Sequence, residues 1–368
     1  MEIVHYVTFF PCSGIRRDLR RIAATLNNWL NSSPMEKMPC YLAGFFRLGR
    51  RRKGRISVIH VRRYFLMSVI LPSHYPGRSA LQEQRVSLLS EEQAQTADIR
   101  PLRVGIINVM PQAELYEYHL LYPLGRSIVQ VEPIWIRLND HTYKSSDKDH
   151  LDRFYVTFAE ATATQPLDGL ILTGAPIEEL PYEEVTYWKE LSSILKFAHD
   201  HIPSTMGICW GALALAEMLG IPKTTFPMKI FGVYETLNLI RSHPITGDFD
   251  DVFYCPQSRH AGIEDHLLEE ASAAGKVRLL AHAQNAGYVI FESADMRFLM
   301  HVGHPEYEAE RIAVEYWRDQ LRGRADVTIP VNFDLQQPRN RWRTHCLDFF
   351  AQWLRFLYES SNALRNNR

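Results

Sequence analysis

The chain is poor in cysteine, even in charge and without a long apolar run, and each shortage removes a class of protein. Five cysteines (Cys12, Cys40, Cys209, Cys255 and Cys346) are spread over 368 residues with no Cys-x-x-Cys pair. Neither a disulfide framework nor a zinc site is indicated, no metal constellation is visible, and a reducing, cytoplasmic setting fits. The 41 Lys plus Arg nearly equal the 42 Asp plus Glu, which removes the global electrostatic case for nucleic acid as a ligand. No stretch reaches the roughly 18 consecutive apolar residues that span a bilayer; the longest candidate is the short run at 65–71, so no membrane partner is expected. Internal repeats and low-complexity tracts are lacking too. What remains is 46% hydrophobic residues, enough for a sizeable core in one large domain or two ordinary ones.

The even balance hides a break. Residues 1–66 hold 13 Lys plus Arg, with Arg50, Arg51, Arg52 and Lys53 consecutive, against three acids, Glu2, Asp18 and Glu36. The segment lacks the order of charged start, apolar stretch and small-residue cleavage site of a secretory signal, although its Arg-rich character mimics a transit peptide. Met67 is an internal methionine, and the chain turns acidic from Glu83. The composition therefore divides the chain into a basic extension over 1–66, disordered or an over-long start, an arm over 67–99, and a main domain over 100–368.

From Arg100 apolar runs alternate with helix-length segments. Strands are expected at 104–109 (VGIINV), 129–136 (VQVEPIWI), 169–172 (GLIL) and 204–209 (STMGIC). The spacing predicts a helix over 184–199 with Tyr187, Trp188, Leu191, Ile194, Leu195 and Ala198 on one face, and a short one over 212–219 stopped by Gly220 and Pro222. Shorter strands follow at 228–234, 252–255, 277–283, 288–292 and 298–302, then helices over 306–321 and 342–358. This order implies an α/β fold, a mostly parallel doubly wound sheet flanked by helices.

The sharpest local signal is Gly207-Ile208-Cys209-Trp210-Gly211, set between an apolar strand and an alanine-rich helix. It is the cysteine counterpart of the Gly-x-Ser-x-Gly nucleophile elbow, a turn so tight that side chains two before and two after the nucleophile would collide. The sulfur then sits at a helix N-terminus, where unpaired amides and the dipole favour negative charge, and the Trp210 amide can donate to an oxyanion. A thiol nucleophile needs a base. His304 stands at the end of the 298–302 strand, the edge where sites form in α/β sheets, and can take the thiol proton; Glu306 can orient the imidazole. One His among 15 proves little alone, and His-Pro-Glu by itself reads as a helix start. Three further residues suit an anionic or polar substrate: Arg318, twelve residues along the helix from Glu306, Lys229 before a strand, and Ser258 at a strand end. Each is also an ordinary surface or loop residue by itself.

Together these residues carry a resemblance. The elbow and His304-Pro305-Glu306-Tyr307 resemble the class I glutamine amidotransferase-like superfamily, a flavodoxin-like fold. With Arg100-Pro101-Leu102, Asn108-Val109-Met110-Pro111, Thr173-Gly174-Ala175-Pro176, Tyr187-Trp188, Gly232-Val233-Tyr234 and Ser258-Arg259 in order, the chain is similar to the homoserine O-acyltransferases of the MetA type from about Met67 onward. That resemblance implies a ping-pong reaction of methionine synthesis in which Cys209 takes an acyl group from acyl-CoA and His304 deprotonates the hydroxyl of L-homoserine, with Glu306 completing the triad. It implies substrate binding by Lys229, Ser258 and Arg318, no cofactor beyond acyl-CoA as co-substrate, and a homodimer.

The residue two past the Thr-Gly-Ala-Pro motif divides the family, Gly going with succinyl-CoA and Glu with acetyl-CoA. Here it is Glu178, whose carboxylate would repel a succinyl group, so acetyl-CoA is the expected donor unless Glu178 is a solvated loop acid. Where the family usually has Pro-His-Ser-Arg the chain reads Pro256-Gln257-Ser258-Arg259, which opens L-serine as an alternative acceptor, one methylene being worth only about 1–3 kcal/mol of discrimination. Succinyl transfer and an amide-cleaving amidotransferase or hydrolase are the other readings.

Overall fold

The computed structural model describes residues 68–96 and 99–366; the basic extension and Met67 lie outside them. The first part of the chain runs β1 (Val69–Ile70), α1 (Arg78–Glu83), β2 (Leu88–Leu89), α2 (Glu91–Gln95), β3 (Leu102–Ile107), α3 (Ala113–Leu124), β4 (Val131–Arg137), α4 (Lys148–Phe154), β5 (Tyr155–Thr157), α5 (Phe158–Ala163) and β6 (Gly169–Leu172). There follow α6 (Trp188–His201), β7 (Thr205–Ile208), α7 (Trp210–Met218), β8 (Thr224–Asn238), β9 (Val252–Gly262), α8 (Asp265–Ala273), β10 (Val277–Ala283), β11 (Gly287–Ser293), β12 (Phe298–His301), α9 (Ala309–Leu321) and α10 (Arg343–Asn366).

All the strands join one sheet in the order β2-β1-β4-β3-β6-β7-β12-β11-β10-β8-β9, with β5 also paired to β4. Every pairing from β2 to β12 is parallel, whereas β12, β11, β10, β8 and β9 run antiparallel to one another in turn. The sheet is therefore mixed and largely parallel. Side chains that alternate across the strands feed a core on each face, as the pleat requires. On β3, Val104 and Ile106 belong to one core with Leu120 of α3 and Phe350 and Trp353 of α10, while Ile107 belongs to the other with Leu191 of α6 and Trp210 of α7.

Helix α6 has the expected amphipathic face, with Leu191, Ile194, Leu195 and Ala198 buried. Helix α7 has none, because Trp210 to Ala216 are all buried and the helix must be apolar all round. It stops where expected: the Ile221 amide reaches back to the Ala216 carbonyl at 3.0 Å around Gly220, a Schellman closure.

Helix α6, expected over 184–199, begins only at Trp188 with Tyr187 as its N-cap, and the helix expected over 342–358 runs on to Asn366; two further elements differ from expectation. The helix expected from residue 306 begins at Ala309 with Glu308 as its N-cap, because the chain first closes a turn in which the Tyr307 amide bonds the His304 carbonyl at 3.2 Å. Glu306 is thereby left in a loop, its carboxylate aimed at His304 rather than spent on a helix terminus. The strands expected at 228–234 and 252–255 belong to a long hairpin of 15 and 11 residues whose register shifts between Thr225 and Ile230. Pro227 falls in that shift, where a missing amide is tolerated. No helix among the described residues is long and apolar enough to cross a membrane.

Candidate active site

Four parallel strands, β3, β6, β7 and β12, end at one edge of the sheet. Because β7 and β12 are neighbours, with Ile208 opposite His301, the residues that follow them are brought together. Cys209 leaves β7 with its amide bonded to the His301 carbonyl at 2.9 Å, and His304 leaves β12 with its amide bonded to the Pro256 carbonyl of β9 at 2.9 Å. Gly174, just past β6, lies against both: a Cβ there would stand 3.3 Å from Cys209 Cβ and 3.6 Å from His304 Cε1.

The elbow is as tight as its glycines suggest. Cys209 has φ 52° and ψ −115°, a conformation costly for a non-glycine residue that persists only where its surroundings impose it. A Cβ at Gly207 would meet the Gly211 carbonyl oxygen at 2.5 Å, and one at Gly211 would meet the Leu172 carbonyl oxygen at 2.3 Å. Both glycines are required by close approach. Trp210 is the first residue of α7, so no earlier turn of the helix accepts its amide.

His304 lies beside Cys209, both against Gly174, and through Nδ1 it bonds Glu306 Oε1 at 2.7 Å. Burial pulls its pKa down, but the negative charges of Cys209 and Glu306 and the hydrogen bonds to both outweigh burial and hold it well above the ordinary value. Glu306 shows the converse. Burial would raise it, yet His304 and a hydrogen bond from Tyr116 keep it below the usual carboxylate range. The Tyr116 hydroxyl donates to Glu306 Oε1 at 2.7 Å, and Tyr307 stacks on the imidazole with centroids 3.9 Å apart. Such a thiol, imidazole and carboxylate row can form a covalent acyl intermediate and then activate a second nucleophile.

Lys229, Ser258 and Arg318 also converge, and the reason is a pair of acids on α9, Glu315 and Asp319. Lys229 Nζ lies 2.7 Å from Asp319 and 3.9 Å from Glu315, and Arg318 Nε lies 2.8 Å from Asp319. The Ser258 hydroxyl donates to Glu315, as does that of Tyr307 at 3.0 Å. Lys229 and Ser258 lie on β8 and β9, whose register sets Phe231 opposite Ser258. Lys229, Glu315 and Asp319 are buried, whereas the Arg318 side chain is 36% exposed. Burial raises the Glu315 carboxyl, but Lys229, Arg311 and Arg318 reverse this and bring it down to about 2.

Glu178 is buried rather than solvated, its Oε1 accepting the His260 amide at 3.3 Å. Lys223 Nζ donates to the carbonyl oxygens of Glu178 and Leu180 at 2.7 and 2.8 Å, pinning that loop. Glu179, His260 and Asp326 gather ligand-type atoms in one place, but they surround the guanidinium of Arg324, which bonds all three. Gln257 is fully buried; its Oε1 accepts from Arg259 Nε at 2.9 Å and its Nε2 donates to Cys255 Sγ at 3.4 Å. Burial pushes the Arg259 guanidinium down to about 10 against the opposing negative charge of Cys209, so a positive charge lies within electrostatic reach of the thiol. Arg259 was read only as part of the Ser258-Arg259 motif, and sequence reasoning missed Tyr116 and the Glu315 and Asp319 pair. Only the last had a signal, two acids spaced i, i+4 on the helix that carries Arg318.

A family model described as homoserine O-succinyltransferase matches residues 68–363. The chain belongs to this family. It is 36% identical over 296 residues to a homoserine O-acetyltransferase of Geobacillus sp. (strain WCH70), covering 79% of this chain and 96% of that one. It is also 36% identical over 294 residues to that of Bacillus subtilis (strain 168), with the same coverages. Among solved structures, a glutamine amidotransferase from Thermotoga maritima superimposes with a TM-score of 0.45 at 12% identity, covering 71% of this chain and 98% of that one.

Proposed function

We propose that this homoserine O-acyltransferase transfers an acetyl group from acetyl-CoA to L-homoserine through a Cys209 thioester. The observation that carries the reading is the buried row of Cys209, His304 and Glu306 at the ends of neighbouring parallel strands. In the first half-reaction the Cys209 sulfur attacks the thioester carbonyl, the Trp210 amide receives the developing oxyanion, and the CoA thiolate departs with the proton from His304. Acylation abolishes the charge on Cys209, the first of the influences holding His304 up. The imidazole is then free as a base just when the homoserine hydroxyl must be deprotonated. That hydroxyl attacks the acyl carbon, and the sulfur leaves as the thiolate.

Lys229, Ser258 and Arg318 are assigned to the amino acid, with Arg318 for its carboxylate, since the guanidinium is half-exposed beside a buried acidic pair. Glu178 supports acetyl over succinyl: it is a buried carboxylate on the loop that follows β6. Both relatives described above are acetyltransferases by name. A homodimer belongs to the same reading and is checked by the mass from light scattering.

The test is to mix the protein with acetyl-CoA or succinyl-CoA, then add L-homoserine or L-serine, following free CoA and intact mass. An acetyl adduct on Cys209 that clears with homoserine supports the proposal. One that clears only with serine moves the acceptor, and no adduct from either donor with Cys209 still reactive favours an amide-cleaving activity.

A further inference from the structure

Glu306 is bonded unevenly. His304 Nδ1 and the Tyr116 hydroxyl both take Oε1, each at 2.7 Å, while the buried Oε2 has no hydrogen-bond partner. A carboxylate in water would share donors between its two oxygens, so the crowding of Oε1 is imposed by the fold. Tyr116 comes from α3, an element that carries none of the motifs of the elbow or of His-Pro-Glu. It is 4% exposed, and since an ionised carboxylate only accepts, the phenol must be the donor.

We propose that Tyr116 is a positioning residue of this site: its hydroxyl fixes the Glu306 oxygen that orients His304 and withdraws part of that oxygen's charge, setting how readily His304 releases its proton once Cys209 is acylated. The surroundings leave this task to Tyr116. His119 of α3 and His301 of β12 face the pair, but burial pushes both down, His301 to about 4, so they stay neutral. Cys255 of β9 and Cys346 of α10 are pushed up by burial and stay protonated. Tyr307, stacked on the imidazole, is likewise pushed up by burial and stays protonated; the charges around His304 are then Glu306, Cys209 before acylation and Glu315 of α9, with the guanidiniums of Arg259 on β9 and Arg311 on α9 beyond them. Among the described residues, Tyr116 is the side chain other than His304 that donates to Glu306.

The α3 frame is built to hold the phenol still. Its neighbour Glu117 is buried and accepts from the hydroxyls of Tyr75 and Tyr155, and it pairs with His150 Nε2 at 2.8 Å. Tyr155 in turn takes Asn108 Nδ2 at 2.9 Å. Three segments outside α3 thus anchor the residue beside Tyr116.

The sign follows from the hydrogen bond. Without the phenol, Glu306 Oε1 concentrates its charge on the imidazolium, and His304 keeps its proton to higher pH. The inference rests on the acyl-transfer reading, which the acetyl adduct on wild-type Cys209 tests separately. In the full chain, Tyr116→Phe is expected to lower kcat about three- to tenfold at pH 7, leave both KM values within about twofold, and move the acid limb of kcat against pH upward. Placing 3,5-difluorotyrosine at 116, a stronger donor of the same shape, is expected to move the limb downward. With Glu306→Gln in place, neither change at 116 is expected to move it. Superimposable pH profiles for wild type and both variants at 116 would overturn the proposal, as would a loss confined to KM or a limb shift that persists with Glu306→Gln.

Discussion

At the residue scale the proposed chemistry turns on how charge is shared in a dry place. Glu306→Gln removes the carboxylate that both orients His304 and helps hold its proton. Its kcat is expected to drop by about 100-fold or more, with the remaining His304 titration moved to lower pH, read from the pH dependence of acetyl transfer. Glu315 gives a stability prediction. Its folded-state pKa lies below its ordinary value, at about 2, so its contribution is present above about pH 4.5 and is lost as pH falls toward 2. Glu315→Gln leaves Lys229 buried with Asp319 alone, which is expected to cost about 3 kcal/mol at pH 7. The difference in Tm from wild type should shrink steadily below pH 4.5; a constant difference down to pH 3 would sink the assignment. Cys209, His304 and Glu306 were legible because each stands in a local pattern with a mechanical reason. Tyr116 was not, because its role comes from a partner on another element, 190 residues away at Glu306.

At the element scale, strands with clean apolar runs were readable to the residue, as Gly169–Leu172 and Val277–Ala283 show. The two-residue edge strands Val69–Ile70 and Leu88–Leu89 are too short for any period to declare itself. The start of α9 was misplaced because His304-Pro305-Glu306 has the pattern of a helix start, whereas these residues close the turn that ends at Tyr307. The loop after β6 carries the donor question. Lys223 holds its backbone and Arg324 holds Glu179, so Glu178 is kept in place beside the His260 amide. Two carboxylates roughly 5 Å apart repel by about 3 kcal/mol at an effective dielectric near 20, which is roughly 100-fold in kcat/KM. Glu178→Gly is expected to raise the kcat/KM ratio of succinyl-CoA over acetyl-CoA by up to that factor, and Glu178→Gln by somewhat less because its bulk remains. If neither variant moves the ratio, the donor is chosen elsewhere.

At the scale of the whole molecule, the question is which part of the chain the fold needs. The family match begins at residue 68, and from that point the arm is built into the sheet. Val69 pairs with Val131 of β4 and with Leu88 of β2, and Val69, Leu71, Tyr75, Leu81 and Val86 are buried in the core that α3 and α10 share. Tyr75 also reaches Glu117, next to Tyr116. Burying five such side chains contributes on the order of 10 kcal/mol at about 1.5–3 each, comparable with the whole stability of a typical domain. We therefore expect a chain started at Met67 to match the full chain in Tm and in acetyl transfer, and one started at residue 100 to be insoluble or unfolded by circular dichroism. Tyr75→Phe separates packing from the polar link: it keeps the ring in the core but removes the hydroxyl from buried Glu117, so it should lower stability by about 1–2 kcal/mol. Because Glu117 also keeps Tyr155 and His150, α3 should stay docked and kcat should change less than in Tyr116→Phe. A Met67-started chain that fails to fold would place a structural requirement within 1–66, and equal kcat losses in the two tyrosine variants would mean that the whole of α3, rather than the Tyr116 hydroxyl, sets the position of Glu306.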